Sequence, residues 1–316
     1  MPPLTRARVL GFGGAALAAT TLLPRPLRAQ DTPALRTAFA YTDAFGQAGY
    51  AEAGGFFKEA GVRVQLVALP NSGAITAAAA GGALDLGLAN PITLTNAIQR
   101  GVPFVAIAPA GVFVEAHPEA LLVVAKSSPI QTAKDLEGKT VALIEIGGIT
   151  QTSMTAWLIK NGASPAAVHF VELGFTAMPA ALKNRVDAAF ISGPPLQEAL
   201  RAGDTRSIGS PYAAIAPEWS INLWFATRPW LAANGPTARK FVQAIEKSVP
   251  WINTHPVETL AVMQQYAPAP IDASKIVRTV YTNRLDVALI QPVLDAALRA
   301  GTIKTAMNAH DLIVTV

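Results

Sequence analysis

The chain has 316 residues, of which 51% are apolar and 15% charged, so it is long enough for two domains and too apolar for intrinsic disorder. It contains no Cys, which excludes disulfides, thiolate metal sites, a Cys nucleophile and a lipoprotein anchor. The formal charge of +4 comes from the first 29 residues, whose four Arg leave 21 of the 25 basic residues against 21 acidic ones. Nucleic-acid binding therefore has no electrostatic support.

Residues 1–29 have the pattern of an export signal. Arg6 and Arg8 precede an apolar run of about 15 residues, which is too short to span a bilayer. We expect cleavage near Ala29, and the spacing of the two Arg leaves both the general and the twin-arginine export routes open. Since no later stretch reaches 18 continuous apolar residues, we expect a soluble, periplasmic mature protein.

The first third of the mature chain alternates between strand and helix patterns. The predicted strands are Leu35–Tyr41, Val62–Leu69, Leu84–Ala89 and Val102–Ala108. The predicted helices cover about 47–60, begin near Ala74, and run from Asn90-Pro91 to Arg100-Gly101. This alternation is typical of parallel βαβ units in a doubly wound sheet.

A second βα series follows a strand at Leu121–Ala125, and its clearest stretch is Gly138–Trp157. An apolar strand at Val141–Ile146 is followed by Gly147-Gly148 and by a helix rich in hydroxyl and amide groups at its start. The free N–H groups and positive dipole end of such a helix can bind an anion or a polar head group. The same pattern also occurs in α/β proteins where the Thr only caps the helix and no ligand binds.

The remaining predicted elements complete the second βα series, and from Pro236 onward they are helices. The predicted elements are a strand at His169–Leu173, a helix from about Thr176, a strand at Ala188–Ser192, a helix at Leu196–Ala202, a strand at Ile221–Thr227, helix from Pro236 onward, and helices at Pro256–Tyr266 and Asp286–Ala300.

An internal correspondence links the two series. When the chain is shifted by 102 residues, 74–101 lies over 176–203 without a gap. Asp85 then meets Asp187 before a short apolar strand, and Asn90 meets Ser192 after it. Because the identities are few, chance remains a competing explanation. If the match is structural, two similar lobes each end a strand in a polar turn, and two such edges would form a cleft.

The order of these features resembles one family. The export signal, the segment AKDLEGKTVAL followed by Gly-Gly, and the later segment MPAALKNRVDAAFISGPP resemble the SsuA/THI5-like (NMT1-type) substrate-binding proteins of ABC importers, over about residues 33–310. The resemblance implies a type II periplasmic-binding-protein fold, with two doubly wound α/β lobes around a central ligand cleft. It places lobe 1 at 30–124 plus 223–316 and lobe 2 at 125–222.

The resemblance also implies ligand contacts at the strand ends. In lobe 1 these are Tyr41, Thr42, Asn71, Ser72, Gly73 and Asn90; in lobe 2 they are Gly148, Ile149, Thr150, Gln151, Phe175, Thr176, Ser192 and Gly193. Trp224 lies near the predicted return crossing and could reach the ligand, although a core or hinge role fits it as well. Tyr41 could equally pack on its neighbours.

The ligand class follows only in outline. The family binds small molecules such as alkanesulfonates, taurine, nitrate and pyrimidine or flavin precursors. No Arg or Lys stands at these strand ends, and Ser192-Gly193-Pro194-Pro195 replaces the acidic or aromatic residue usual in the family. This puts a basic amine ligand in doubt. We expect a small organic anion, sulfonate- or carboxylate-like, held by neutral donors and helix dipoles.

The function implied is that of a periplasmic receptor that closes around its solute and delivers it to an ABC permease with its ATPase. We expect a monomer without cofactor or metal, since none of the four His has metal-ligand spacing. Two alternatives stay open. One is an enzyme on the same fold, of the pyrimidine-synthase or menaquinone-pathway type, against which the export signal and missing Cys argue. The other is a periplasmic sensor module.

Overall fold

The structure is a computed structural model that describes residues 34–40, 42–265 and 277–316. The predicted export signal at residues 1–29 and the candidate ligand contact Tyr41 lie outside the described residues. Within the described ranges, none of the helices combines the length and the apolar character needed to cross a bilayer.

Strands and helices alternate through both halves of the described chain. The first half contains β1 (Leu35–Phe39), α1 (Gln47–Ala53), α2 (Phe56–Glu59), β2 (Val64–Ala68), α3 (Ser72–Ala80), β3 (Gly87–Ala89), α4 (Pro91–Gln99), β4 (Phe104–Pro109), β5 (Gly111–Val114), β6 (Ala120–Ala125) and β7 (Thr140–Leu143). The second half contains α5 (Ile149–Lys160), β8 (His169–Glu172), α6 (Met178–Ala181), β9 (Ala188–Ser192), α7 (Gly193–Ala202), β10 (Thr205–Gly209), β11 (Glu218–Ser220), β12 (Leu223–Thr227), α8 (Arg228–Thr254), α9 (Pro256–Gln264), β13 (Val280–Tyr281), α10 (Val287–Ala300) and α11 (Ala309–Leu312).

The first sheet has the order β2-β1-β3-β12-β4. Its strands β1 and β2 are parallel, and β1 joins β3 through a parallel bridge between Thr37 and Leu86, where Ala38 N also donates to Leu86 O at 3.0 Å. Strand β12 lies between β3 and β4 and is antiparallel to both. This sheet is therefore mixed rather than purely parallel.

The second sheet repeats this arrangement with the order β8-β7-β9-β6-β10. Strand β7 is parallel to β8 and β9, while β6 lies between β9 and β10 and is antiparallel to both. Each sheet thus holds one reversed strand in the same position. The sequence did not predict the reversal, because a buried apolar run has the same pattern in either direction.

The internal correspondence of the sequence is confirmed by equivalent hydrogen bonds. Asp85 accepts from Arg36 N at the start of β1, and Asp187 accepts from Thr140 N at the start of β7, both at 2.8 Å. Each Asp also donates its own N–H to the carbonyl of the same partner. Asp85 and Asp187 therefore join adjacent strands in two equivalent βαβ units.

Three short strands form a third, smaller sheet. Strands β11, β5 and β13 form an antiparallel sheet in that order. Strand β5 lies in the chain between the two large sheets, and β11 lies in the return path. The sequence-derived boundary at 124/125 passes through β6, which belongs to the second sheet. We propose β5 and β11 as the crossings between the lobes.

The two largest hydrophobic cores of the described residues lie against the two sheets, and α10 contributes to both. The first core contains Trp224 and Phe241, whose rings meet edge to face at 5.1 Å between centroids. The second contains Trp219 and Phe113, with centroids 5.4 Å apart. On α10, Ile290 and Leu294 pack into the first core while Val293 and Ala297 pack into the second. Helix α10 therefore packs against the cores of both large sheets.

Several helices differ from their predicted extent for local reasons. The helix predicted over 47–60 is split into α1 and α2 at Gly55, which has a φ of 78°. The helix expected from Thr176 is a 3₁₀ turn at Phe175–Ala177 followed by the four-residue α6. Helix α8 begins eight residues before Pro236, because Thr227 caps it by accepting from Trp230 N at 3.2 Å.

Candidate functional site

A cavity of about 50 Å³ lies where strands of both large sheets end. From the first sheet it is lined by residues that follow β1, β2 and β3: Thr42, Ala44, Phe45, Pro70, Asn71, Ser72 and Asn90. From the second sheet it is lined by Ile144, Glu145, Ile149, Thr150, Phe175 and Ser192, and from the connecting segments by Glu119, Tyr212, Ile221 and Asn222. Such an edge is where open α/β sheets bind ligands.

The wall from the first sheet is a closed hydrogen-bond network. Asn71 caps α3 by accepting from Ala74 N, and Asn90 caps α4 by accepting from Thr93 N, both at 2.9 Å. Ser72 Oγ accepts from the backbone N and from Nδ2 of Asn90, both at 3.1 Å. These polar groups hold one another in place and form a rigid wall.

The wall from the second sheet is the glycine turn between β7 and α5. Gly147 has a backbone φ of 77°, a conformation that residues other than Gly rarely adopt. Its N–H donates to Gln151 Oε1 at 2.7 Å, and Thr150 Oγ1 donates to Glu145 O at 3.1 Å. The Gln151 side chain therefore folds back onto the turn instead of entering the cavity.

Glu145 connects the two walls. Its Oε2 accepts from Asn90 Nδ2 at 3.0 Å and its Oε1 accepts from Thr93 Oγ1 at 2.7 Å. A Cβ at Gly148 would overlap the same carboxylate, so a larger residue at position 148 would displace the Glu145 side chain. Burial raises the pKa of Glu145, while the hydrogen bonds from Thr93 and Asn90 oppose this rise. The protein's own carboxylate thus lies against the start of α5, where the sequence predicted an anionic ligand.

A second carboxyl group lies in the cavity with fewer partners. Glu119 is 4% exposed, and its backbone carbonyl accepts weakly from Gly193 N at 3.4 Å. Burial raises the pKa of Glu119 to about 8; a hydrogen bond from its own backbone opposes this, and the charge of Asp43 adds to it. Within the described chain no other residue donates a hydrogen bond to this carboxyl group.

Asn222 adds an unpaired acceptor. Its Nδ2 donates to Ala44 O at 2.8 Å, which fixes the orientation of the amide. The oxygen Oδ1 is buried and has no hydrogen-bond partner within the described part of the chain. A buried carbonyl oxygen without a partner is costly, so a ligand that donates to it would relieve this cost.

The segment at 42–46 is held against the cavity by a buried ion pair. Asp43, 4% exposed, accepts from Arg278 Nε at 2.8 Å, from Tyr50 Oη at 2.7 Å and from Thr279 N at 2.7 Å. Tyr281 Oη donates to Asp43 O. Burial by itself would lower the pKa of Arg278, but the charge of Asp43 and its hydrogen bonds raise it overall.

Eight of the candidate ligand contacts line the cavity, and the structure keeps six others out of it. Those in the lining are Thr42, Asn71, Ser72, Asn90, Ile149, Thr150, Phe175 and Ser192. Those outside the lining are Gly73, Gly148, Gln151, Thr176, Gly193 and Trp224.

The side chains outside the lining have identifiable other positions. Trp224 is fully buried in the first core, where its Nε1 donates to Gln47 Oε1 at 2.8 Å, so it takes the core role rather than the ligand role. Thr176 is exposed on the surface. Gly73 and Gly193 belong to the first turns of α3 and α7. We therefore leave these residues out of the candidate site.

Sequence reasoning missed the two carboxyl groups and the residues from the connecting segments. Glu145 had a visible signal, since it interrupts the apolar run Val141–Ile146 with a charge. Glu119, Tyr212 and Asn222 carry no such signal, because they come from segments whose path between the sheets cannot be deduced from local pattern. Among the described residues that line the cavity, none is Lys, Arg or His, and no group of three His, Asp or Glu in the described ranges could hold a metal ion.

Two matching mixed sheets, joined by paired crossings and enclosing a cavity at their strand ends, define the periplasmic-binding-protein fold. The family model described as NMT1/THI5 like matches residues 45–259. The chain therefore belongs to the NMT1/THI5-like family. None of the curated proteins compared with the sequence matches it.

Solved structures share this fold at low sequence identity. The alkanesulfonate-binding protein SsuA from Xanthomonas axonopodis pv. citri, bound to MOPS, has a TM-score of 0.75 and 16% identity, with 90% of this chain and 99% of that chain covered. The periplasmic aliphatic sulphonate binding protein SsuA from Escherichia coli has a TM-score of 0.72 and 20% identity, with 90% and 93% covered. The desulfurization enzyme DSZB has a TM-score of 0.66 and 12% identity, with 90% and 97% covered. These similarities define the fold and leave the function open.

Proposed function

We propose that the protein is the solute-binding component of an ABC importer. It would be exported, would hold a small organic molecule in the cavity between its two sheets, and would deliver that molecule to a membrane permease with its ATPase. The proposal is supported above all by the position of the cavity, which lies at the strand ends of two sheets with the same strand order. Membership of the NMT1/THI5-like family and the two SsuA neighbours add to it.

We propose that the two lobes, each built on one of the two large sheets, close around the ligand. Glu145 follows β7 of the second sheet and bonds to Asn90 and Thr93, which begin α4 beside the first sheet. A ligand that touches both walls stabilises the closed arrangement relative to an open one, which shifts the population toward it. The permease would recognise this closed form. We propose a monomer, since one chain supplies both walls of the cavity.

The first prediction tests binding itself. A thermal-shift panel of sulfonates, carboxylates, nitrate, pyrimidines and amines should contain a compound that raises the melting temperature, because a ligand at 100 times its Kd adds about 2.7 kcal/mol to stability. Ser192→Phe should abolish this shift by filling the cavity, since Ser192 lines it and makes no side-chain cap bond.

Thr176→Phe is the matched control, because Thr176 is exposed and lies outside the lining. It should keep the full ligand-induced shift, and both variants should keep the melting temperature of the unliganded protein within a few degrees. An undiminished shift in Ser192→Phe would place the ligand elsewhere. The absence of any shift across the panel would count against the solute-binding proposal.

An enzyme remains the second candidate, because DSZB is an enzyme of the same fold and two buried carboxyl groups line this cavity. Carboxyl groups with raised pKa values can serve as general acids or bases. Turnover of a bound compound by the purified protein would establish this alternative. A periplasmic sensor would bind in the same way, and interaction of the closed form with a membrane signalling protein in place of a permease would distinguish it.

A further inference from the structure

We propose that the ligand of this cavity carries a positively charged nitrogen with N–H donors, such as a primary ammonium, amidinium or guanidinium group, and that Glu119 and Asn222 Oδ1 accept its hydrogen bonds. This inference rests on the proposed solute-binding function and names the ligand class. It departs from the anion expected from the strand-end residues. Two observations support it. The cavity is lined by two hydrogen-bond acceptors with few or no partners, and none of the described lining residues is Lys, Arg or His.

Glu119 supplies the first acceptor. Glu119 lines the cavity and is 4% exposed, and within the described chain the only hydrogen bond that reaches its carboxyl group comes from its own backbone. A buried carboxylate is strongly unfavourable unless a cation or several donors compensate it. A ligand cation in the cavity would provide that compensation.

Asn222 supplies the second acceptor independently of the acidic residues. The bond from its Nδ2 to Ala44 O at 2.8 Å leaves Oδ1 as the free end of the amide, and this oxygen is buried without a partner in the described ranges. Asn222 is 1% exposed and lines the same cavity as Glu119. Both acceptors therefore belong to the lining of one cavity of about 50 Å³, and a small group with several N–H donors is the ligand chemistry that could satisfy both of them.

The remaining lining disfavours anions. Glu145 already uses both of its oxygens to join Asn90 and Thr93, and it adds negative charge to the cavity when ionised. No described lining residue is Lys, Arg or His, so a sulfonate or carboxylate would have no cationic partner in the lining. Above pH 8, where Glu119 is ionised, such an anion would also face its negative charge. The lack of a cationic partner in the lining therefore weakens the binding of anions, and this contributes to specificity in the same way as favourable contacts to a cation.

The second prediction compares three probes of similar shape on the full-length chain: propylammonium, propan-1-ol and propane-1-sulfonate. Calorimetry should show that propylammonium binds at least tenfold more tightly than propane-1-sulfonate. Glu119→Gln should weaken propylammonium binding at least tenfold, because it removes the negative charge and keeps the shape. Glu258→Gln, at an exposed carboxylate on α9, should leave the affinity unchanged.

The pH dependence of the unaltered chain decides the matter if Glu119→Gln does not fold. With the pKa of Glu119 at about 8, a bound cation favours the ionised form, so propylammonium affinity should rise with pH by up to roughly tenfold per unit from pH 6 and level off above pH 8. The groups whose charges act on Glu119 are Asp43, which is paired with Arg278, and the phenols of Tyr212 and Tyr281. A flat profile would contradict the role of Glu119.

The outcomes separate this inference from the proposed function. Equal or tighter binding of propane-1-sulfonate overturns the cationic ligand and leaves a solute-binding protein. If none of the three probes binds, the charge of the compound that binds in the thermal-shift panel decides: a cation supports the inference and an anion overturns it. If no compound in the panel binds, both proposals fail together.

Discussion

Glu119 holds its carboxyl group in surroundings that favour the neutral form. Burial raises its pKa from 4.5 to about 8, so between these two values the folded protein keeps a proton that the unfolded chain releases. Stability depends on pH according to the difference in bound protons between the two states. The proton is bound in both states below about pH 4.5, and the stability that it contributes is lost as the pH rises toward 8.

The third prediction follows at this residue. Glu119→Gln carries no ionisable group at this position, so its stability relative to the unaltered protein should rise between pH 5 and pH 8.5 by on the order of 4 kcal/mol. Urea unfolding at both pH values measures the difference, with Glu258→Gln as the exposed control. A difference that stays constant from pH 5 to pH 8.5 would show that Glu119 has an ordinary pKa.

At the scale of elements, the described segment 42–46 depends on a strand far away in the sequence. Asp43 receives hydrogen bonds from Arg278 and Thr279, which precede β13, and β13 in turn pairs with β5. Thr42, Ala44 and Phe45 of this segment line the cavity. The ion pair thus positions one wall of the site through residues that do not touch the cavity.

The fourth prediction concerns this ion pair. Arg278→Met should cost about 3–5 kcal/mol of unfolding free energy, because it leaves the carboxylate of Asp43, 4% exposed, without its cation. Arg284→Met is the matched control: Arg284 pairs with Asp286 and Glu218 at the surface, so its loss should cost no more than about 1 kcal/mol. Guanidinium unfolding measures the loss of unfolding free energy in both variants. Equal losses would mean that the buried pair of Asp43 and Arg278 stabilises the fold no more than a surface pair does.

The elements that the sequence predicted well are those with a strong local signal. Asn90-Pro91 marks the start of α4, and Gly147-Gly148 marks the turn before α5, because capping and backbone requirements act within a few residues. Strands β5, β11 and β13 are short and were not predicted, since their pairing depends on contacts between distant segments. The same limit explains the site: residues after parallel strands were found, whereas Glu119 and Asn222 from connecting segments were missed.

At the scale of the whole molecule, the two sheets are repeats that share a hydrogen-bonding plan. Asp85 and Asp187 each accept a hydrogen bond from the backbone N at the start of the neighbouring strand. In each sheet the reversed strand is the first one that the chain enters after a proposed crossing strand. In the mechanism that we propose, the two units rotate as bodies about the crossings, and contacts between the units decide how far they open.

The fifth prediction tests that motion through Glu145. The bonds from Asn90 and Thr93 to Glu145 join the two units, and Glu145→Ala removes both of them. Without ligand, this variant should populate a more open form, which small-angle scattering would record as a larger radius of gyration. Glu172→Ala is the control, because Glu172 accepts from Ile146 N within the second unit and should leave the radius unchanged. A radius for Glu145→Ala equal to that of the unaltered protein would mean that other contacts, such as α10 packed into both cores, keep the units closed.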